Sequence, residues 1–240
     1  MTRPEPGADR TARALRDRGH EPVLMPMTRI ISLLSDNAGL NQIGASAYSV
    51  TSANALECWQ SKGIGALCLK RPIYTVGKRT AGAAHAAGFS DVRVGAGDGA
   101  RLAEKLIADT QAARISFSAA TPLVYVAGRT RHPDFEARLF AEKLPFKLVE
   151  LYDIEKISYS TDIFLQQLRD LEQGSVLLYS TKSAEIFFDR MERAGLFKKL
   201  KDLRFLCISE SVANAVPLQF AGQTEVSAKP DEDNLLMLLG

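Results

Sequence analysis

The second half of this 240-residue chain repeats features of its first half at an offset of about 130 residues. Arg3 in MTRPEPGADR aligns with Arg129 in AGRTRHPDFE, and Ser52 in YSVTSANALECW with Ser180 in LLYSTKSAEIFF. Thr80 in IYTVGKRTAGAA aligns with Ser211 in FLCISESVANAV. Asp98 and Leu102 in GDGARLAEKL align with Asp231 and Leu235 in PDEDNLLMLL. The offset grows slowly along the chain, as small loop insertions would make it. Self-similarity on this scale describes architecture, and it predicts two like lobes facing one another across a cleft.

Within each repeat the grammar is an apolar run, a small polar turn and an amphipathic helix. Ala47–Val50 reads as a strand that enters Thr51-Ser52-Ala53-Asn54, with a helix begun over Ala55–Gln60. Val176–Tyr179 likewise enters Ser180-Thr181-Lys182-Ser183 and a helix over Ala184–Ala194. Ile73–Val76 leads through Gly77-Lys78-Arg79-Thr80 to an Ala-rich helix ending at Gly88, and Phe205–Ile208 leads through Ser209-Glu210-Ser211 to a helix reaching about Val216. Strands alternating with helices at this spacing predict βαβ units and parallel sheets, an α/β fold. Gly19 and Gly88 follow helical patterns as C-terminal caps. Glu21–Ile30 and Lys147–Ile157 are extended-looking and are the natural connections between lobes. Val124–Gly128 is a strand before a Gly-Arg turn, whereas the strand that should feed Thr2-Arg3-Pro4 is missing at the chain start.

Composition excludes several classes. A net charge of +2 with no block of like charge gives no footprint for nucleic acid. RDRGH at 16–20 and RTRH at 129–132, the densest basic stretches, read as solvated loops. No apolar run approaches a membrane span, and Thr-Arg-Pro-Glu-Pro-Gly lacks the apolar region of a secretory signal, so a cytoplasmic location is expected. Cys58, Cys68 and Cys207 lack ligand spacing and are read as buried thiols, without disulfide or zinc.

The Ser/Thr turns carry the functional signal. A hydroxyl between a strand and a helix caps that helix, and capping alone explains any single turn. The unpaired first N–H groups and the positive end of the helix dipole also make such a turn an anion site. Four such turns at repeat-related positions predict a polyanionic ligand at the carboxyl ends of the strands. GAGDGA at 95–100 imitates a dinucleotide fingerprint, but the region 20 residues on, Arg114-Ile115-Ser116-Phe117-Ser118, has no carboxylate; it is a loop and helix start. His20, His85 and His132 are isolated. Tyr152, in KLVELYDIEKI, is the candidate proton donor, because a phenol is protonated at neutral pH; packing in an extended segment is the other reading.

These segments resemble the uroporphyrinogen-III synthase family. The similar stretches are TRPEPGADRTARALRDRGHEPVLMP, VTSANALECW, YTVGKRTAGAAHAAGF, VYVAGRTRHPDFEARL, the Tyr152 segment, YSTKSAEIFF and CISESVANAV, in the family's order over nearly the whole chain. The resemblance implies two flavodoxin-like lobes with parallel sheets flanked by helices, joined by a two-stranded linker. Residues 1–28 with 158–240 would form one lobe and 33–150 the other, with linkers at about 29–32 and 151–157. It implies a cyclising hydro-lyase that converts hydroxymethylbilane to uroporphyrinogen III with inversion of ring D and loss of water. It further implies no metal or other cofactor, and a monomer with no nucleic-acid or membrane partner. Tyr152 falls on the family's proton donor. Thr51, Ser52, Thr80, Ser180 and Ser211 fall on its substrate-binding hydroxyls, with Arg3, Arg129 and Lys182 as added charge. Glu210 departs from the family turn and places a carboxylate where an anion would bind. The competing reading is a non-catalytic anion-binding or regulatory module on the same scaffold.

Overall fold

The computed structural model describes residues 1–36, 38–168 and 174–240. In chain order, α1 (Gly7–Arg16), β1 (Thr28–Ser32), α2 (Ala38–Asn41), β2 (Ala47–Val50) and α3 (Ala53–Ser61) come first. They are followed by α4 (Ala66–Leu69), β3 (Ile73–Thr75), α5 (Lys78–Ala86), β4 (Val92–Val94) and α6 (Gly99–Gln111). Next are β5 (Leu123–Gly128), α7 (Asp134–Ala141), β6 (Phe146–Lys156), α8 (Thr161–Gln167) and β7 (Gly174–Leu178). α9 (Thr181–Arg193), β8 (Leu203–Cys207), α10 (Glu210–Ala213), β9 (Thr224–Val226) and α11 (Glu232–Met237) complete the order. Two compact units result: unit 1 is Met1–Arg29 with Glu155–Gly240, and unit 2 is Ile30–Ile154.

In unit 2 the sheet order is β1-β6-β5-β2-β3-β4. β2 through β6 pair in parallel. Counted along the chain, these five strands lie in the order 3-2-1-4-5, so the order reverses between β2 and β5; the flavodoxin order is 2-1-3-4-5. Every residue of β2 and of β5 is buried. Their side chains alternate between two cores, as the two-residue period of a strand requires. Tyr48, Val50, Val124 and Val126 join Trp59 of α3 and Ala84 of α5 on one face. Ala47, Leu123, Tyr125 and Ala127 join Leu102 and Leu106 of α6 with Phe135 and Leu139 of α7 on the other. Strands covered on both faces explain the uninterrupted apolar runs in the sequence.

Unit 1 contains the parallel sheet β7-β8-β9. Val176, Leu178, Phe205 and Cys207 pack with Phe187, Phe188 and Met191 of α9 and with Phe220. Leu177 and Leu206 turn the other way, onto Leu15 of α1 and Leu235 and Leu236 of α11. Removing one such side chain, as in Leu206→Ala, leaves a cavity that its neighbours fill only in part.

Several boundaries differ from the expectation. The helix after Ser209 is a single turn that ends at Ala213 and does not reach Val216, where Pro217 disfavours helical geometry in the residue before it. Only residues 28–30 of the extended Glu21–Ile30 segment join a strand; Pro22 and Pro26 have no N–H to donate to a ladder. Met25 and Met27 instead donate to the carbonyls of Met1 and Thr2. Cys68 and Cys207 are buried, but Cys58 is half-exposed near the middle of α3. Gly19 and Gly88 adopt φ of +81° and +98°, the left-handed cap geometry.

Burial raises the pKa of all six phenols: Tyr48, Tyr74, Tyr125, Tyr152, Tyr159 and Tyr179. A folded-state pKa above the ordinary 10.0 means that the stability linked to these groups is complete below pH 10 and is lost as pH rises through the folded values. An ultraviolet-difference titration of the native protein should therefore place tyrosinate formation at higher pH than in the unfolded chain. Reversible ionisation at pH 10 with unchanged circular dichroism would contradict this.

Candidate functional site

The carboxyl ends of β2, β5 and β6 come together where the strand order of unit 2 reverses, the position at which doubly wound sheets bind ligands. Ser52, two residues past the end of β2, is the N-cap of α3, its Oγ accepting from Asn54 N at 3.2 Å. Thr51 Oγ1 lies 2.8 Å from Tyr125 OH. Tyr152 stands opposite Gly128 across the β5–β6 ladder, and Arg129 N donates to the Tyr152 carbonyl at 2.8 Å. Its ring rests directly on Gly128: a Cβ there would meet Tyr152 Cζ at 2.7 Å and the phenol oxygen at 3.0 Å. Only a glycine admits that approach. Desolvation raises the phenol's pKa, and hydrogen bonding with Ser52 and Asn54 works against the rise. At neutral pH the group is therefore protonated.

Thr80 is not in the turn where the sequence pattern put it: α5 starts one residue after Gly77, so Thr80 lies inside the helix, three residues past the N-cap, and is buried. Arg129 is exposed and pairs loosely with Glu150 (3.4 Å) and Asp153 (3.7 Å). Its guanidinium is thus available to an anion at the same edge.

In unit 1, Ser180 is the N-cap of the 13-residue α9, accepting from Ser183 N at 3.1 Å and donating to Ser183 Oγ at 2.9 Å. Lys182 is exposed on the first turn, 3.9 Å from Glu185. Ser211 is exposed, with its Oγ 2.9 Å from Ser209 Oγ, and Thr181 Oγ1 donates to its carbonyl. Ser211 is the second residue of α10, a helix of four residues that Ser209 precedes as N-cap and that is too short for many peptide dipoles to add. Arg3 departs most from expectation. It is buried, donates to Thr11 Oγ1 and to Glu232 Oε1 at 3.0 Å each, and stacks 4.3 Å over the Tyr179 ring. With 7% of its side chain exposed, Arg3 is committed to Glu232 and not to an incoming carboxylate. Its repeat mate Arg129 is the exposed one.

Sequence reasoning missed Gly128, Asn54, Tyr125 and Ser227. Ser227 follows β9 and donates to the Ile208 and Lys229 carbonyls. The serines after β7, β8 and β9 formed a series that could have flagged it. Gly128 carried no local signal, since its role is set by a ring 24 positions later in the chain. Among the described residues, no group of three or more His, Cys, Asp or Glu gathers to hold a metal.

A parallel sheet bearing hydroxyl turns and the buried phenols of Tyr125 and Tyr152 at its carboxyl edge defines an α/β protein of the doubly wound kind. A family profile for uroporphyrinogen-III synthase (HemD) matches residues 9–236, and the chain belongs to that family. The fold is similar to that of uroporphyrinogen-III synthetase from Helicobacter pylori 26695, with a TM-score of 0.59, 16% identity and 90% of each chain covered. It is also similar to a mutant uroporphyrinogen III synthase from the extremely thermophilic bacterium Thermus thermophilus, with a TM-score of 0.54, 15% identity, and coverage of 100% of this chain and 97% of that one. No curated protein sequence matches the chain.

The contact between Gly128 and Tyr152 is testable. Gly128→Ala should displace the ring and lower both activity and melting temperature. Wild-type turnover and melting temperature in that variant would show that the ring does not depend on the missing Cβ.

Proposed function

We propose that Tyr152 is the general acid in the closure of hydroxymethylbilane to uroporphyrinogen III, and that the hydroxyl turns of each unit take the substrate's carboxylates. The chain is a uroporphyrinogen-III synthase, a cyclising hydro-lyase of tetrapyrrole biosynthesis. Its reaction removes the terminal hydroxyl as water, and the resulting azafulvene is attacked by ring D through a spiro intermediate. In this reading the Tyr152 proton goes to the departing oxygen as the C–O bond breaks. The ring proton released on final closure restores the phenol, so no net acid is consumed. What carries the assignment is the seat of Tyr152: buried against Gly128, beside Ser52 and Asn54, with its pKa raised by desolvation. The donor stays protonated over the whole neutral range, and the hydrogen bonding with Ser52 and Asn54, which favours the phenolate, assists release of its proton to the departing hydroxide. The rest of the barrier reduction comes from holding the folded chain in the orientation that leads to inversion.

Thr51, Ser52 and Thr80 in unit 2, and Ser180 and Ser211 in unit 1, are assigned to substrate carboxylates, with Arg129 and Lys182 adding exposed positive charge. Arg3 is assigned a supporting role, tying the N-terminal segment of unit 1 to α11 through Glu232. We also assign a monomeric, cytoplasmic enzyme. No helix among the described residues is long and apolar enough to cross a membrane. The non-catalytic alternative is not favoured, since the chain keeps the family's phenol and its hydroxyl turns.

The assay supplies freshly made hydroxymethylbilane and separates the porphyrin isomers after oxidation. Isomer III is expected; isomer I alone, matching the enzyme-free control, would overturn the assignment. Tyr152→Phe should lower turnover by ~10²-fold or more, whereas an unchanged rate would make Tyr152 a packing residue.

A further inference from the structure

The β5–β6 ladder contains an irregularity at the point where Tyr152 is presented. Ala127 pairs with Glu150, but the next residue of β5, Gly128, pairs with Tyr152. Leu151 is the extra residue of a bulge. A regular strand would turn Leu151 and Tyr152 to opposite faces. Here both are buried in the same core, at 2% and 5% exposure, beside Trp59 and Val126. Bulges re-aim side chains in this way.

One side chain grips both sides of the irregularity. Arg131 Nη1 donates to the carbonyls of Gly128 and Arg129 at 3.0 Å each and to Glu150 Oε1 at 2.7 Å. Its Nε donates to Glu136 Oε1 in α7. Arg131 is thereby drawn inward, with 18% of its side chain exposed, unlike the solvated loop that RTRH suggested. Glu150 is the residue before the bulge, and Gly128 is the surface on which the phenol ring rests.

We propose that Arg131 is a positioning residue for the cyclisation, clamping Glu150 to the end of β5 so that the bulge holds the Tyr152 phenol over Gly128. The proposal rests on the reading of Tyr152 as the proton donor. Lysine has no planar fork and cannot reach Glu150, Glu136 and two carbonyls together. Glu150→Gln keeps the acceptor and removes the charge. The Arg131 hydrogen bond holds the Glu150 carboxyl below the usual glutamate range, so this clamp is intact at neutral pH and opens only as pH falls through the lowered value.

The test is a double-mutant cycle with a spectroscopic arm on the intact protein. Arg131→Met should lower kcat by about 10- to 10²-fold with little change in KM, as a misplaced group does. It should cause no further loss in a Tyr152→Phe background, because the residue acts through the phenol. In protein labelled with fluorotyrosine, the resonance that vanishes in Tyr152→Phe should shift in Arg131→Met and return part of the way in Arg131→Lys. Glu150→Gln should move the same resonance in the same direction, and serves as the reporting variant if Arg131→Met fails to fold. An equal loss of kcat in both backgrounds, or an unmoved Tyr152 resonance, would overturn the proposal. Wild-type turnover in Tyr152→Phe would instead refute the general acid while leaving the resonance to judge the clamp.

Discussion

Burial of β2 and β5 on both faces is the constraint on which the rest of unit 2 depends. Two central strands with no solvent-facing side chains must be covered by helices above and below. Their connections must then emerge at the strand ends. The parallel direction puts each strand-to-helix turn at the carboxyl edge, and the reversal of order between β2 and β5 opens a crevice there. Thr51, Ser52, Gly128 and Tyr152 share an edge because apolar side chains above and below leave the polar groups nowhere else to go. A sheet with one wet face would impose no such gathering.

The site is thus built more by backbone than by charge. The helix-opening serines answer unpaired N–H groups, and a carboxylate can do the same. Arg129 and Lys182 are the exposed cations among the residues singled out, and each has a carboxylate neighbour. Such pairs exchange readily with an incoming anion, since exposed ion pairs contribute little. Arg3–Glu232 is different: buried, bonded also to Thr11 and stacked on Tyr179, it would leave an uncompensated charge if either partner were removed.

The repeat forecasts some features well, and its failures have physical causes. Asp98 and Asp231 align, and both are N-caps, accepting from Arg101 N and Asn234 N. Ser52 and Ser180 align, and both cap their helices. Capping depends on a handful of consecutive residues, so one-dimensional alignment preserves it. Thr80 and Ser211 also align, yet one is buried within a nine-residue helix and the other exposed on a single turn. Arg3 and Arg129 divide the same way because Glu232 draws the first inward. Burial depends on what arrives from elsewhere in the chain, and a repeat cannot forecast that.

The amino-acid sequence alone determined the alternation of strand and helix, the capped starts of those helices and the parallel sheets. These follow from periodicity, turn chemistry and side-chain type, all local in the chain. Tertiary structure decided which face Tyr152 presents. A bulge at Leu151 reverses the parity that simple strand alternation would assign, and a glycine in a neighbouring strand leaves room for the ring. It also turned Arg131 from a surface basic residue into a clamp. Those outcomes depend on register between strands, a relation among distant residues that no stretch of sequence carries by itself.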